Sequence, residues 1–255
     1  MRSISRLKEK PLSVLRMALA VVACALLVVG FGAAPASKPA KAPKKPTPAK
    51  VKAEEAQPLR PIADFDLPPP QTKGKVSLEE ALAARRSERA FRPDPLTLAQ
   101  IGQLMWAAQG ITDAVRGYRT APSAGATYPI ELYLLTPEGV YHYVPQGHRL
   151  ELLDRSDLRG ALANSALGQE CVRDAPLDVV IASVPARTTP KYRDRAARYI
   201  YLEAGHIAQN LLLEATAIGL GGVSVGAFQE EEVRQVLGLP KDQYPVYLVP
   251  LGHAQ

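Results

Sequence analysis

Four stretches of this sequence carry side chains whose types and spacing could do chemistry. The first is Arg85-Arg86-Ser87-Glu88-Arg89, with three guanidiniums and a hydroxyl within five residues. A guanidinium makes bidentate, charge-assisted bonds to a phosphate, so this spacing suits an anion clamp. Taken alone, the same arginines read more simply as a solvated helix end that complements the helix dipole. The second stretch is Lys191-Tyr192, which precedes a long helical pattern carrying Glu203, His206, Gln209 and Asn210. Glu203 and His206 are three apart and therefore share one helix face. The third, Thr120 to Pro129, contains Pro122, Ser123, Ala124 and Gly125, small residues that let backbone amides approach a flat ligand. The fourth runs from Gly219 through Gly226 and Ala227 to Phe228. It is glycine-dense but has neither GxGxxG nor a P-loop lysine, which argues against a dinucleotide fold and a P-loop nucleotidase.

Other chemistries find no support. Ser123 has no recognisable base and acid partners, and no GxSxG is present. The two cysteines, Cys24 and Cys171, cannot build a disulfide framework in a folded part, because Cys24 sits in an apolar segment. The four histidines, at 142, 148, 206 and 253, are too scattered for a zinc signature, so no metal site is expected. Arginines, small-residue loops and glycines together suit a housing for a ligand that brings its own reactivity.

Positioning these groups needs a scaffold, and the pattern supplies one from Ser77 onward. Ser77-Leu-Glu-Glu80 has the form of a capping box and predicts a helix to about Ser87. Thr97 caps a second helix through Gln109, with Gly110 ending it. Ile130–Thr136 and Val140–Val144 flank a Pro-Glu-Gly turn as a hairpin, and Leu150–Leu153 adds a short strand. A helix is expected over Ser156–Leu167. The apolar run Leu177–Val184 predicts a strand covered on both faces. Arg193–Ile218 reads as the longest helix, with Ile200, Ala204, Ile207, Leu211 and Ala215 on its apolar side. A glycine-bearing segment at 222–228, a helix at 230–237 and a strand over Tyr244–Leu251 close the chain. The predicted class is α+β, a central, mostly antiparallel sheet flanked by helices rather than a βαβ repeat.

The charge is divided along the chain. Its 255 residues carry a formal net charge of +6 and a sequence pI near 9.3. Residues 1–76 hold 14 Lys/Arg against 5 Asp/Glu, whereas residues 77–255 hold 17 against 20. The basicity belongs to the N-terminal part, and no basic face with interleaved aromatics points to nucleic acid. Arg2, Arg6, Lys8, Lys10 and Arg16 precede a charge-free run from Met17 to Ala34. Residues 1–36 therefore read as a cleaved signal peptide or a membrane anchor. The flanking charges leave orientation open, so an exported, extracytoplasmic domain and a cytosol-facing anchored one are both expected alternatives. Residues 37–76, rich in Pro, Ala and Lys, predict a disordered linker, and residues 77–255 the folded domain.

Several stretches, in this order, resemble the FMN-dependent nitroreductase family and its SagB-type dehydrogenase group. They are RRSERAF, PLTLAQIGQLMWAAQGIT, RTAPSAGATYPIELYLL, YIYLEAGHIAQNLLLEATAIGLGGVSVGAF and YLVPLG. The likeness covers about Ser77 to Gly252. It implies a nitroreductase-like fold with FMN bound at the interface of a homodimer. It further implies that Arg85 and Ser87, with Arg86 assisting, hold the FMN phosphate and ribityl chain, and that Arg89 approaches the flavin pyrimidine edge. Pro122, Ser123, Ala124 and Gly125 would line the ring, and Gly226 and Ala227 would pass over it. Gly252 and His253 would lie near the phosphate. His253 stands where many family members supply a further basic residue from a longer C-terminal segment. Lys191 and Tyr192 match a pair implicated in the chemistry of SagB-type enzymes, which makes them candidate catalytic proton-transfer groups. The activity implied is transfer of a hydride or electron pair between flavin and a small or peptide-like substrate, with NAD(P)H as a plausible donor by analogy. The alternative is a non-catalytic, membrane-tethered dimer that binds flavin or another ligand.

Overall fold

The computed structural model describes residues 60–255. The targeting segment expected at 1–36 and the linker over 37–59 lie outside the described residues. The rest of the expected linker is corrected by the structure. Ala63–Asp66 forms strand β1, paired antiparallel with residues 149–152. Leu67 is buried, and its amide donates to the His148 carbonyl at 3.0 Å. Gln71 exchanges two hydrogen bonds with Gln103. Composition favoured disorder here, but an open sheet edge supplies the partners that satisfy this backbone.

Helix α1 (Leu78–Ala84) opens on the expected capping box. The Ser77 hydroxyl accepts from the Glu80 amide, and the Glu80 carboxylate accepts from the Ser77 amide. It ends three residues before the expected Ser87, because Arg85 takes an extended conformation (φ −51°, ψ 124°). That early stop turns residues 85–91 into an extended segment. Helix α2 (Leu98–Gln109) has a second capping box, between Thr97 and Gln100. Gly110 does follow it, in an extended rather than left-handed conformation (φ −60°, ψ 147°). Glycine is needed there for close approach: a Cβ would come within 2.7 Å of Trp106 Cγ. A small ribbon of β2 (Ile111–Asp113) and β3 (Tyr118–Arg119) follows.

The expected hairpin is β4 (Ile130–Thr136) and β5 (Gly139–Val144), continued by β6 (Arg149–Asp154). Helix α3 (Arg159–Ser165) lies within the helix expected over Ser156–Leu167, and a short helix, α4 (Glu170–Asp174), follows it. Every residue of β7 (Leu177–Ser183) is buried, as the continuous apolar run requires. The long helix expected over Arg193–Ile218 is present, and a short helix precedes it. Short helix α5 (Thr189–Tyr192) is separated from α6 (Ala196–Ala217) at Arg193, whose φ is +49°. The chain closes with β8 (Gly221–Gly222), α7 (Glu230–Val236) and β9 (Tyr244–Gly252).

Seven strands make one antiparallel sheet in the order β1-β6-β5-β4-β7-β9-β8. The two-residue period of the strands divides the core. Val179 and Ile181 of β7, with Leu132 and Leu134 of β4, pack under Leu104, Ile207 and Leu211 of α2 and α6. Val180 and Ala182 point the other way, among Leu162, Val172 and Val233 of α3, α4 and α7. A fully buried Leu or Ile contributes roughly 1.5–3 kcal/mol, so this two-sided burial anchors β4 and β7. The loops before β4 and after β7 carry one of the two groups of candidate residues. Among the described residues no helix is long and apolar enough to cross a membrane.

Candidate functional site

The structure gathers the candidate residues into two groups. The first forms around the segment released by the early end of α1. Ser87 makes a parallel bridge with Gly222, and the Glu88 amide donates to the Gly222 carbonyl at 3.0 Å. Further along, the Arg92 amide donates to the His253 carbonyl at 2.9 Å, and the Gln255 amide donates to Ala90. Backbone pairing thus brings Arg85, Arg86, Ser87 and Arg89 beside Gly252 and His253. Close packing makes glycine necessary at this junction. A Cβ on Gly221 would fall 2.7 Å from Glu88 Cγ, and one on Gly252 would fall 2.6 Å from Pro176 Cδ.

The arginines of this group are open to a ligand. Arg86 and Arg89 are exposed and Arg85 is half-buried. The Arg86 guanidinium donates to the Ala83 and Arg85 carbonyls, which pins it over the end of α1. Among the described residues no ion pair involves any of these three guanidiniums. Gly226 and Ala227 follow β8 along the same edge, exposed, with the Ala227 carbonyl accepting from Gln169. Phosphate-sized anions are recognised by clustered, uncompensated guanidiniums with a hydroxyl nearby, and this group offers that donor set.

The second group sits where the loop before β4 meets the loop after β7. Its backbone is unusual: Gly125, Ala126 and Tyr128 have φ of 60°, 53° and 44°. A left-handed conformation costs a non-glycine residue about 1–2 kcal/mol, and such outliers persist only where the surroundings determine them. The surroundings here are specific. The Val184 amide donates to the Pro129 carbonyl at 2.7 Å. The hydroxyls of Thr127 and the buried Thr188 are 2.9 Å apart, and Arg187 donates to the Tyr128 carbonyl at 3.0 Å. Lys191 Nζ donates to the Gly125 carbonyl at 3.3 Å. Tyr192 stacks on Tyr199, with ring centroids 4.5 Å apart. Lys191 and Tyr192 therefore meet the loop at Gly125, although some sixty residues separate them in sequence. Pro122 is exposed at the start of the same loop. No hydrogen bond among the described residues joins this group to the first.

Behind the loop lies a polar layer that sequence reasoning only grazed. Glu203, on α6, is buried and accepts from Gln109 Nε2 at 3.3 Å, with the Ser123 hydroxyl acting on its carboxyl as a donor that lowers the pKa. Burial raises its carboxyl pKa, opposed by those hydrogen bonds and by the charge of Arg119. His206, expected beside Glu203, is exposed and does not join it. Three-residue spacing sets the side chains about 60° apart, which at the rim of the apolar face is enough to place one inside and one outside. Arg119 and Arg187 went unremarked. The first lies in the same RTAPSAGATYP stretch as Ser123, and that adjacency was the available signal. Beside these arginines, a cleft of about 380 Å³ is lined by Tyr128, Glu131 and His142.

The comparisons agree with this architecture. The nitroreductase family model matches residues 82–253. A nitroreductase-like protein of Methanocaldococcus jannaschii is 43% identical over 184 residues, which cover 70% of this chain and 91% of that protein. The trifolitoxin-processing protein TfxB of Rhizobium leguminosarum is 31% identical over 170 residues, 60% of this chain and 46% of its own length. Among solved structures, a nitroreductase-like protein of Ralstonia eutropha superposes with a TM-score of 0.69 at 32% identity, covering 77% of this chain and 94% of that one. The strand order, the flanking helices and the matched span place this chain in the nitroreductase family.

Proposed function

We propose that this protein is an FMN-dependent oxidoreductase that exchanges a hydride or an electron pair with a small or peptide-like substrate, working as a homodimer. The observation that carries the reading is the first group: three guanidiniums without ion-pair partners among the described residues, held by backbone pairing beside Ser87, Gly252 and His253. Bound FMN would supply the two-electron redox chemistry there.

The residues have distinct tasks in this reading. Arg85, Arg86 and Ser87 bind the phosphate and ribityl chain, with Gly252 and His253 closing that end. Arg89 sets a positive charge at the pyrimidine edge, where reduction places negative charge. Gly226 and Ala227 give backbone access over the ring. Pro122, Ser123, Ala124 and Gly125 line the ring from the loop side, completing the pocket across the dimer. Lys191 holds or moves a proton at Nζ, and Tyr192 at its hydroxyl. NAD(P)H is the proposed electron donor. The peptide-like option is supported by the likeness to TfxB, whose name describes processing of trifolitoxin. Residues 1–36 direct the domain to the membrane or through it, and accessibility of a C-terminal tag on intact cells tests the orientation.

The enzyme reading is tested by anaerobic addition of NADH, NADPH or dithionite to the purified protein, followed by an electron acceptor. Bleaching of the flavin bands and their return on addition of acceptor is the expected result. A bound flavin that none of these reductants converts to a turnover-competent form would leave a non-catalytic binding dimer as the better description.

A further inference from the structure

Five side chains close a ring behind the Ser123–Tyr128 loop. Gln109 Nε2 donates to Glu203 Oε1 at 3.3 Å. Arg119 donates to the other end of the same amide, Gln109 Oε1, at 3.1 Å. The Arg119 guanidinium lies over the Tyr128 ring, 4.4 Å from its centroid. The Tyr128 amide donates to the Ser123 hydroxyl oxygen at 2.9 Å. The same hydroxyl also acts on the Glu203 carboxyl, lowering its pKa as a hydrogen-bond donor does, which completes the circuit. The ring joins α2, the β3 end, the strained loop and α6. Glu203 and Gln109 are almost wholly buried, so each of their contacts would be costly to leave unmade.

What the ring encloses gives it meaning. The loop bearing Gly125, Ala126 and Tyr128 in left-handed conformations is the one whose Gly125 carbonyl receives Lys191 Nζ. Such a backbone would relax without restraint from both sides. Thr188 and Arg187 hold it from the α5 side, and Glu203 holds it from α6.

We propose that Glu203 is a positioning residue: acting through Ser123, it fixes the strained loop and with it the Lys191 ammonium against the reacting face. This rests on the reading that Lys191 serves the reaction. Glu203 itself touches no substrate. Its role is to hold a hydrogen-bond geometry, and hydrogen bonding separates it from packing: Gln in its place keeps an acceptor for Gln109 and Ser123, whereas Leu keeps only the volume.

The test uses the full chain with Glu203→Leu and Glu203→Gln, and Glu214→Leu as a control. Glu214 lies on the same helix and bonds Gln103, outside the ring. Two quantities are read: hydrogen–deuterium exchange of the amides in residues 121–128, and kcat against KM. In Glu203→Leu, exchange in the loop rises about tenfold or more relative to the amides of β4 and β7, and the melting temperature falls, since Gln109 Nε2 is left buried without its acceptor. Its kcat falls about tenfold with KM for the nicotinamide within about twofold, the signature of a misplaced group rather than lost binding. Glu203→Gln recovers both quantities to within about threefold, and Glu214→Leu changes neither. If Glu203→Leu fails to fold, Ser123→Ala breaks the same link from the loop side and is read for exchange. Wild-type exchange in the altered protein, or a loosened loop with wild-type kcat, overturns the proposal. A chain that binds no flavin would defeat the oxidoreductase reading, and the exchange measurement alone would then decide the role of Glu203.

Discussion

Lys191 Nζ and the Gly125 carbonyl oxygen meet at 3.3 Å across 66 residues of sequence. The contact depends on glycine twice over. Gly125 has a φ of 60°, and a Cβ there would intrude on the Lys191 ammonium and fall 2.8 Å from the Tyr192 hydroxyl. Gly125→Ala is therefore expected to displace both side chains. Backbone strain should cost about 1–2 kcal/mol of stability, and turnover should fall tenfold or more. Thermal melts and steady-state kinetics check the two effects separately. Wild-type turnover in this variant would separate Lys191 and Tyr192 from the chemistry.

The arginine cluster makes a different kind of prediction, about retention of the cofactor. Each charge-assisted bond lost to the phosphate or pyrimidine edge should cost about 1.5–3 kcal/mol. Arg85→Ala combined with Arg89→Ala should thus abolish flavin retention through gel filtration while the fold persists, since both guanidiniums lie outside the buried core. Full flavin occupancy in the double variant would remove the site assignment.

His142 sits between two carboxylates on neighbouring strands, 2.7 Å from Glu131 and 3.1 Å from Glu151. Burial pulls its pKa down, but the hydrogen bonds and charges of Glu131 and Glu151 outweigh this and leave it raised. Glu131 also pairs with Arg187, and its own pKa is lowered despite burial. A raised histidine contributes stability that is fully present below its unfolded pKa, about 6.5, and is lost as pH rises through the folded value. The Glu131 contribution runs oppositely and fades as pH falls below about 4.5. The difference in melting temperature between the native chain and His142→Gln should therefore be largest near pH 6 and shrink by about pH 9. A difference independent of pH would show that folding does not raise the pKa of His142.

Asp178 is the second residue of β7, fully buried, and neither of its carboxylate oxygens has a hydrogen-bond partner among the described residues. Burial drives its pKa well above the usual carboxylate range. A raised carboxyl makes the folded state bind the extra proton, so its stability contribution falls as pH rises. Asp178→Asn should be more stable than the native chain at pH 8 by on the order of 1 kcal/mol, and nearly equal to it at pH 4. Denaturant titration at both pH values measures this. A loss of stability at pH 8 would mean that Asp178 is charged and paired in the folded protein.

The long periodic elements were legible in the sequence because one force dominates each of them. Leu177–Ser183, covered on both faces, is apolar at every position but Asp178 and Ser183, and Thr97 with Gln100 signals the start of α2 in four residues. What escaped depends on distant partners. The strand Ala63–Asp66 alternates in polarity over only four residues inside a proline-rich stretch, and it pairs because β6 offers an open edge. The short helix Thr189–Tyr192 was not expected, and the positive φ of Arg193 that ends it falls on a residue that no glycine marks. At the site, the arginine cluster and the Gly125 loop were recognisable as stretches. The meeting of Lys191 with Gly125 follows from how the β4–β7 ladder aligns its ends, and the pairing of Glu203 with Ser123 and Gln109 from how α6 packs on α2. Neither is written in local spacing. Glu203 and His206 show the limit most plainly, since the same three-residue spacing ends in one buried and one exposed side chain.

The central claim is the cofactor, and the most direct measurement is the visible absorption spectrum of the purified full-length protein, with chromatographic identification of any chromophore it releases. Oxidised-flavin bands with FMN near one equivalent per chain are the predicted result. A colourless protein that takes up no added FMN would contradict the account, and would leave the arginine cluster as a site for some other anion.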